Sequence, residues 1–268
     1  MPIPEKYLAD FQGGEIYHVY NRTNNKENLF VTDENRTFFL KRYKEIVASF
    51  VDTFCWNLLP NHFHLLIRIK SEEAIIAYLE SKPTEALTGT ERKFLQSGQR
   101  VTNLSSAESP RRVANLSKVG NPESPDSTKV DNPDSSPNVG TTGDKEITVS
   151  ELIEQTFKRF FQSYALAFNK QHKRQGNLFY KPFKRVKIES DSQLTMAIIY
   201  VHANAAKHNL VKDFIDHPWT SWHSLMSGKP TSLSRDEIIK WFGSIELCIK
   251  THLELAETYY NCEIEIED

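Results

Sequence analysis

A chain of 268 residues, 39% hydrophobic and 25% charged, can bury a substantial core as one embellished domain or as two small ones, which excludes a wholly disordered protein. Its net charge of −2 gives no sign of a nucleic-acid partner. No apolar stretch is long enough to span a bilayer, and "MPIPEKYLADFQGGE" lacks the basic-then-apolar order of a signal peptide, so a cytoplasmic protein with no membrane partner is expected. Cys55, Cys248 and Cys262 are far apart and lack Cys-x-x-Cys spacing, which argues against a disulfide framework or a thiolate zinc site and for buried or incidental thiols.

In chain order, "IYHVYNR" (16–22) reads as a strand and "TNNKEN" as a turn. From Asp33 to Phe50 an acidic start and apolar residues at helical spacing predict a helix. Two strands follow over 53–59 and 61–70, broken by Pro60, and Ser71 with Glu73 opens a short helix. The order strand, helix, strand, strand, helix predicts an α+β fold, a ferredoxin-like or RRM-like sandwich with helices on an antiparallel sheet.

The second of those strands carries "NHFHLLIRIK". Successive strand side chains point to opposite faces, so Phe63, Leu65, Ile67 and Ile69 form a core face while His62, His64, Leu66 and Arg68 share the other. Two imidazoles at i and i+2 can turn their nitrogens toward one ion. A bare His-x-His is more commonly a pair of satisfied side chains, so a metal reading needs a third donor elsewhere.

After about Lys82 the composition shifts, and Ser, Pro, Asn, Gly, Thr and Asp dominate from Asn103 to Asp144. Such a segment has too few large apolar residues to offset the entropy of ordering it, which predicts a flexible insertion at about 83–147 within a domain spanning 1–228. Order resumes at "TVSELIEQTFKRFFQSYALAFNKQ", a helix with Phe157, Phe160, Phe161, Tyr164 and Phe168 on its apolar stripe. "GNLFYKPFKRVKI" continues as loop and strand, and residues 229–268 read as a two-helix C-terminal extension.

No Asp or Glu occurs between Lys158 and Lys187, a block rich in Lys and Arg that also holds Phe179, Tyr180 and Phe183. Cations interleaved with aromatic rings suit phosphates and unpaired bases, so this block is ranked a nucleic-acid surface ahead of a merely solvated face. Arg22, Lys181, Lys184, Arg185 and Lys187 are the expected phosphate contacts, with Phe179 and Tyr180 as stacking rings. Trp219 and Trp222 are expected to pack.

In "DSQLTMAIIYVHANAAKHNL" the buried stripe is Leu194, Ile198, Val201 and Ala205, with Asp191 as N-cap and Asn209 in the left-handed position beyond the end. Tyr200 lies off that stripe and shares its face with Asn204, one turn on, while Ala197 leaves room beside the ring. A carboxamide oxygen could complete a His-His site for a hard divalent ion such as magnesium or manganese. On spacing alone, a half-exposed surface residue is the better reading of Tyr200.

Five blocks in order, "HVYNR", "LLPNHFHLLIRI", "GNLFYKPFKRVKI", "YVHANAAKHNLV" and "HPWTSWHSL", resemble the single-tyrosine HUH transposases of insertion sequences (IS200-like) and their REP-associated relatives over about residues 14–80 and 150–226. The resemblance implies that His62 and His64 bind a divalent metal, that Tyr200 is the nucleophile attacking DNA, and that Asn204 is the third ligand. It implies single-stranded or hairpin DNA as substrate, cut through a 5′-phosphotyrosine link that leaves a free 3′-hydroxyl for strand transfer. The chain has Asn204-Ala205 where the family usually has Asn-Pro, and Asn209 near the place of a glycine. No Gly-rich phosphate loop is present, as expected if the covalent bond stores the energy. A homodimer is left open. So are a metal-dependent nuclease without a covalent intermediate, a non-catalytic single-strand-binding module, and a replication or conjugation initiator, the last disfavoured because no second tyrosine stands at helical spacing from Tyr200.

Overall fold

The computed structural model describes residues 4–105 and 146–260. Its centre is a four-stranded antiparallel sheet of β1 (Ile16–Arg22), β2 (Val51–Leu58), β3 (His62–Ile69) and β4 (Lys184–Lys187), in the order β2-β3-β1-β4. Helix α1 (Asp33–Ile46) joins β1 to β2. Helices α2 (Glu72–Glu80), α3 (Gly89–Ser105) and α4 (Val149–Gln171) lie between β3 and β4 in the chain. With α2 and α3 set aside, the succession β1-α1-β2-β3-α4-β4 is the ferredoxin-like plan. The predicted α+β class and the early element order hold.

Alternation along the strands gives the sheet two apolar faces. Tyr17, Val19, Phe63, Leu65, Ile67 and Ile69 pack with Phe39, Phe157, Phe160 and Tyr164 of α1 and α4 into the larger core. Tyr164 is buried as expected, and its hydroxyl donates to the Leu29 carbonyl at 2.8 Å, which removes the cost of a phenol in a core. A capping box starts α4: Glu151 N–H donates to Thr148 Oγ1 (3.2 Å) and Thr148 N–H to the Glu151 carboxylate (3.1 Å).

The opposite face is covered by α5 (Asp191–Lys207), which packs on β2 and β3, and by α6 (Trp222–Met226), α7 (Arg235–Phe242) and α8 (Ile245–Tyr260). Cys55 and Leu66 of the sheet join Ile198, Ile199 and Val201 of α5, Trp222 and Cys248 in this second core. The expected C-terminal extension does contain two helices, but α8 docks directly on α5, so it closes a layer of the domain. The tail beyond Tyr260, with Cys262, lies outside the described residues.

A buried polar chain fastens α8 in place. His252 Nδ1 lies 2.8 Å from the Cys248 carbonyl, His202 Nδ1 lies 3.0 Å from His252 Nε2, and His202 Nε2 lies 2.9 Å from Ser221 Oγ. Trp56 N–H donates to that Oγ at 2.8 Å. One proton on each Nδ1 and one on the serine satisfy every member, so neutral rings are the matched state. Burial accordingly pushes His202 far down and His252 down to about 4. Burial likewise pushes the Cys248 thiol up to about 11 and Cys55 well up, making both inert packing groups.

Several boundaries differ from expectation. Helix α1 ends at Ile46 rather than Phe50; a turn over 47–50 lets Val47 and Phe50 reach the core and feeds β2, which starts at Val51. β3 begins at His62, since Pro60 and Asn61 form the turn. The N-cap of α5 is Ser190, whose Oγ accepts from Gln193 N–H at 3.3 Å, and Asp191 is the first helical residue, where its charge suits the helix dipole. The interruption expected from about 83 begins later: Thr84–Ala86 and α3 are helical, and Leu87 and Phe94 are anchored in the larger core. The low-complexity centre of that segment lies outside the described residues. Among the described residues no helix is long and apolar enough to cross a membrane.

Candidate metal and nucleophile site

The central strands and α5 build the site between them. Lys184, Tyr20, His64 and Asn57 stand in one cross-strand row of β4, β1, β3 and β2, and Arg22 opposes His62 in the adjoining row. Because side chains of one row share a face, two cations and a phenol flank the histidine pair under α5. Asn57 Nδ2 donates to the Val201 carbonyl at 2.7 Å, pinning α5 to this row beside Tyr200.

Within the site the His62 and His64 rings are perpendicular at 5.1 Å, and Tyr200 meets His64 edge to face at 5.7 Å. His18 Nε2 is 2.9 Å from His64 Nδ1, and Asn61 Oδ1 is 2.6 Å from His62 Nδ1. In each ring Nδ1 makes the orienting hydrogen bond, so Nε2 is the nitrogen that could face an ion, as in imidazoles that bind metals. Tyr20 stacks on both His18 (4.8 Å) and His64 (5.7 Å). Lys184 Nζ lies 5.5 Å from the centre of the Tyr20 ring.

Asn204 is fully buried one turn beyond Tyr200. Among the described residues no group of three or more His, Cys, Asp or Glu is arranged to hold a metal, so a site here would need a donor of another kind, such as the Asn204 carboxamide. Two imidazoles and a carboxamide oxygen supply nitrogen and oxygen donors and no thiolate, a set that can hold manganese more readily than magnesium or a thiophilic ion.

The end of α5 is set by a Schellman turn. Asn209 has φ 56°, Asn209 N–H donates to the Ala206 carbonyl (2.9 Å) and Leu210 N–H to that of Ala205 (3.0 Å). Asn209 thus occupies the left-handed position expected for it. This turn holds His208 4.9 Å from the His62 ring, while Lys207 Nζ stands 5.2 Å from the centre of the Tyr200 ring.

No family model matches the chain, and no curated protein does. Among solved structures, the chain is similar to a REP-associated tyrosine transposase bound to a REP hairpin. That likeness has 12% identity and a TM-score of 0.45, covering 88% of this chain and 96% of the other.

Tyr200 is 3% exposed, although it lies off the expected stripe. Sheet on one side and α8 on the other bury α5 over most of its circumference, which removes the reading of Tyr200 as a surface tyrosine.

The basic block divides. Lys184 faces the histidines, but alternation sends Arg185 and Lys187 to the other side of β4. Arg185 is buried, pairs with Glu154, and donates to the Ala9 carbonyl at 2.6 Å between Phe11 and Phe183, so it is a packing residue and the expectation of a phosphate contact is corrected. Lys187 is bound to Glu15 (3.3 Å) and Gln12 (3.0 Å), away from the site. Phe179 is buried against Phe63, Phe161 and Tyr164, which corrects its expected role as a stacking ring. Tyr180 is half-buried with the Arg22 guanidinium 5.6 Å over its ring, and Lys181 is exposed. Trp222 is buried, as expected; Trp219 is partly buried against the larger core and donates to Asp33 (2.9 Å).

Sequence reasoning missed His18, Tyr20, Lys207 and His208. The first two were accessible: alternation in "IYHVYNR" puts His18, Tyr20 and Arg22 on one face. His208 follows Asn204 by four residues, the spacing that had linked Asn204 to Tyr200.

Proposed function

We propose that the protein is a single-tyrosine HUH transposase, which cuts single-stranded or hairpin DNA with a divalent metal and rejoins it through a 5′-phosphotyrosine link. The observation that carries this reading is the meeting of Tyr200 with His64, in a cross-strand row that ends in Lys184 and lies beside the row that pairs Arg22 with His62. A phenol is a weak nucleophile at neutral pH, so it needs an activated phosphodiester held in line. When bound, a magnesium or manganese ion on His62, His64 and Asn204 would neutralise non-bridging phosphate oxygens and orient the bond. Arg22 and Lys184 hold the flanking phosphates. Tyr200 Oη attacks phosphorus, its P–O bond forming as the bond to the 3′ oxygen breaks; the phenolic proton is released to solvent and the leaving oxygen takes one up. Lys207 brings positive charge to the ring that loses the proton. Reversal by another 3′-hydroxyl restores Tyr200 and completes strand transfer.

The burial of Tyr200 favours a second reading, a metal-dependent nuclease that activates water and uses Tyr200 only to pack His64. Incubating the protein with labelled single-stranded hairpins from the flanks of its own gene, in manganese or EDTA, separates the two on a denaturing gel. A metal-dependent protein–DNA adduct absent from Tyr200→Phe is the expected result. Cutting that survives Tyr200→Phe without an adduct would replace the transposase reading with the nuclease.

A further inference from the structure

Asn57 is fully buried in the layer between the sheet and α5, on the face of β2 that also carries Cys55 and directly opposite His64 on β3. One end of its carboxamide is used: Nδ2 donates to the Val201 carbonyl at 2.7 Å, with the His202 carbonyl at 3.4 Å. The other end, Oδ1, is buried and accepts no hydrogen bond among the described residues. A carbonyl oxygen taken out of water without a partner is destabilising.

The tie to α5 does not account for that cost. Val201 and His202 lie inside α5, where their carbonyls already accept helical hydrogen bonds and have no need of Nδ2. An apolar side chain of the same size would pack as well in a core that includes Cys55, Leu66 and Val201. A folding role therefore leaves the oxygen of Asn57 unused.

Its surroundings limit what can use it. The carboxamide is held between β3, which carries His64, and the turn of α5 that carries Tyr200 and the fully buried Asn204. A neutral oxygen in a dry layer beside an imidazole suits a cation that accepts both nitrogen and oxygen donors. An octahedral ion takes about six donors, so His62, His64 and Asn204 leave room for a further oxygen beside those of a phosphate.

We propose that Asn57 Oδ1 is a further oxygen donor of the ion site, an inference that rests on the metal-dependent reading above. Manganese binding by the full metal-free chain, titrated by electron paramagnetic resonance without DNA, tests it, with the melting temperature of the metal-free protein as a check on the fold. Asn57→Leu keeps the size and branching of the side chain. It is expected to weaken manganese binding about 10-fold while moving the melting temperature by less than about 4 °C. Asn57→Asp puts a charge on the donor and is expected to tighten manganese binding about 10-fold while lowering the metal-free melting temperature. A residue that only pins α5 would do the reverse: melting temperatures would fall and manganese affinity would stay, which overturns the proposal. Should Asn57→Leu not fold, an Asn57→Asp affinity no better than that of the unaltered chain overturns it alone. His64→Phe separates the donor from the reading beneath it. Manganese binding that is lost with His64 but indifferent to Asn57 sinks the donor only, whereas binding that persists in His64→Phe, or no binding at all, removes the ion site and the role of Asn57 with it.

Discussion

His64 and Tyr200 meet edge to face, ring centres 5.7 Å apart and planes at 89°, so a central strand and the covering helix deliver an imidazole and a phenol to one point. His18 sets the orientation of that imidazole through its 2.9 Å hydrogen bond. His18→Phe should lower manganese affinity by about 10- to 100-fold while the fold persists, the usual cost of losing a partner behind a metal-bound histidine. Titration followed by electron paramagnetic resonance would check this, and unchanged affinity would mean that the metal does not use His64.

The division of the basic block predicts a division in salt dependence. Arg22→Ala and Lys184→Ala should each weaken DNA binding and flatten the plot of log affinity against log salt by about one contact. Lys187→Ala should leave that slope alone, since its ammonium is held by Glu15 and Gln12. Anisotropy titrations at several salt concentrations would read all three.

Arg185 and Phe179 should instead report on stability. Arg185→Ala leaves Glu154 with Lys158 but removes the bond to the Ala9 carbonyl and the packing between Phe11 and Phe183, and should cost about 1–3 kcal/mol, while Phe179→Ala opens a cavity costing about 3–5 kcal/mol. Urea unfolding would show both losses. A large drop in DNA affinity at unchanged stability would return these residues to the DNA surface.

Acid should loosen the α5–α8 contact. His252 is held neutral in the fold, with its pKa lowered to about 4, and His202 is lowered further, whereas an unfolded histidine titrates near ~6.5. The unfolded chain therefore binds more protons as pH falls below about 6.5, and stability declines down to about 4. His252 alone accounts for about 3 kcal/mol across that window. Thermal melts at pH 7 and pH 5 would show the decline, and His252→Leu should make it shallower.

The face assignments were legible because they are local. Phe63 and Leu65 point to the larger core and His62 and His64 away from it by strand alternation alone, and Tyr200 and Asn204 share a face by helical spacing alone. Arg185 was misread for the opposite reason: its partners Glu154 and Ala9 lie 31 and 176 residues away, and a basic run says nothing about acids folded against it.

By itself, then, the sequence determined the α+β class and the faces of strand and helix on which histidines, phenol and carboxamide stand, because periodicities of two and 3.6 residues are properties of the backbone. Only the tertiary structure decided which cations stayed at the site, that Tyr200 is buried, and that α8 closes over α5 through His202 and His252. Those outcomes depend on which distant segments come to cover a face, and burial and charge pairing are settled by packing between elements that the chain order leaves far apart.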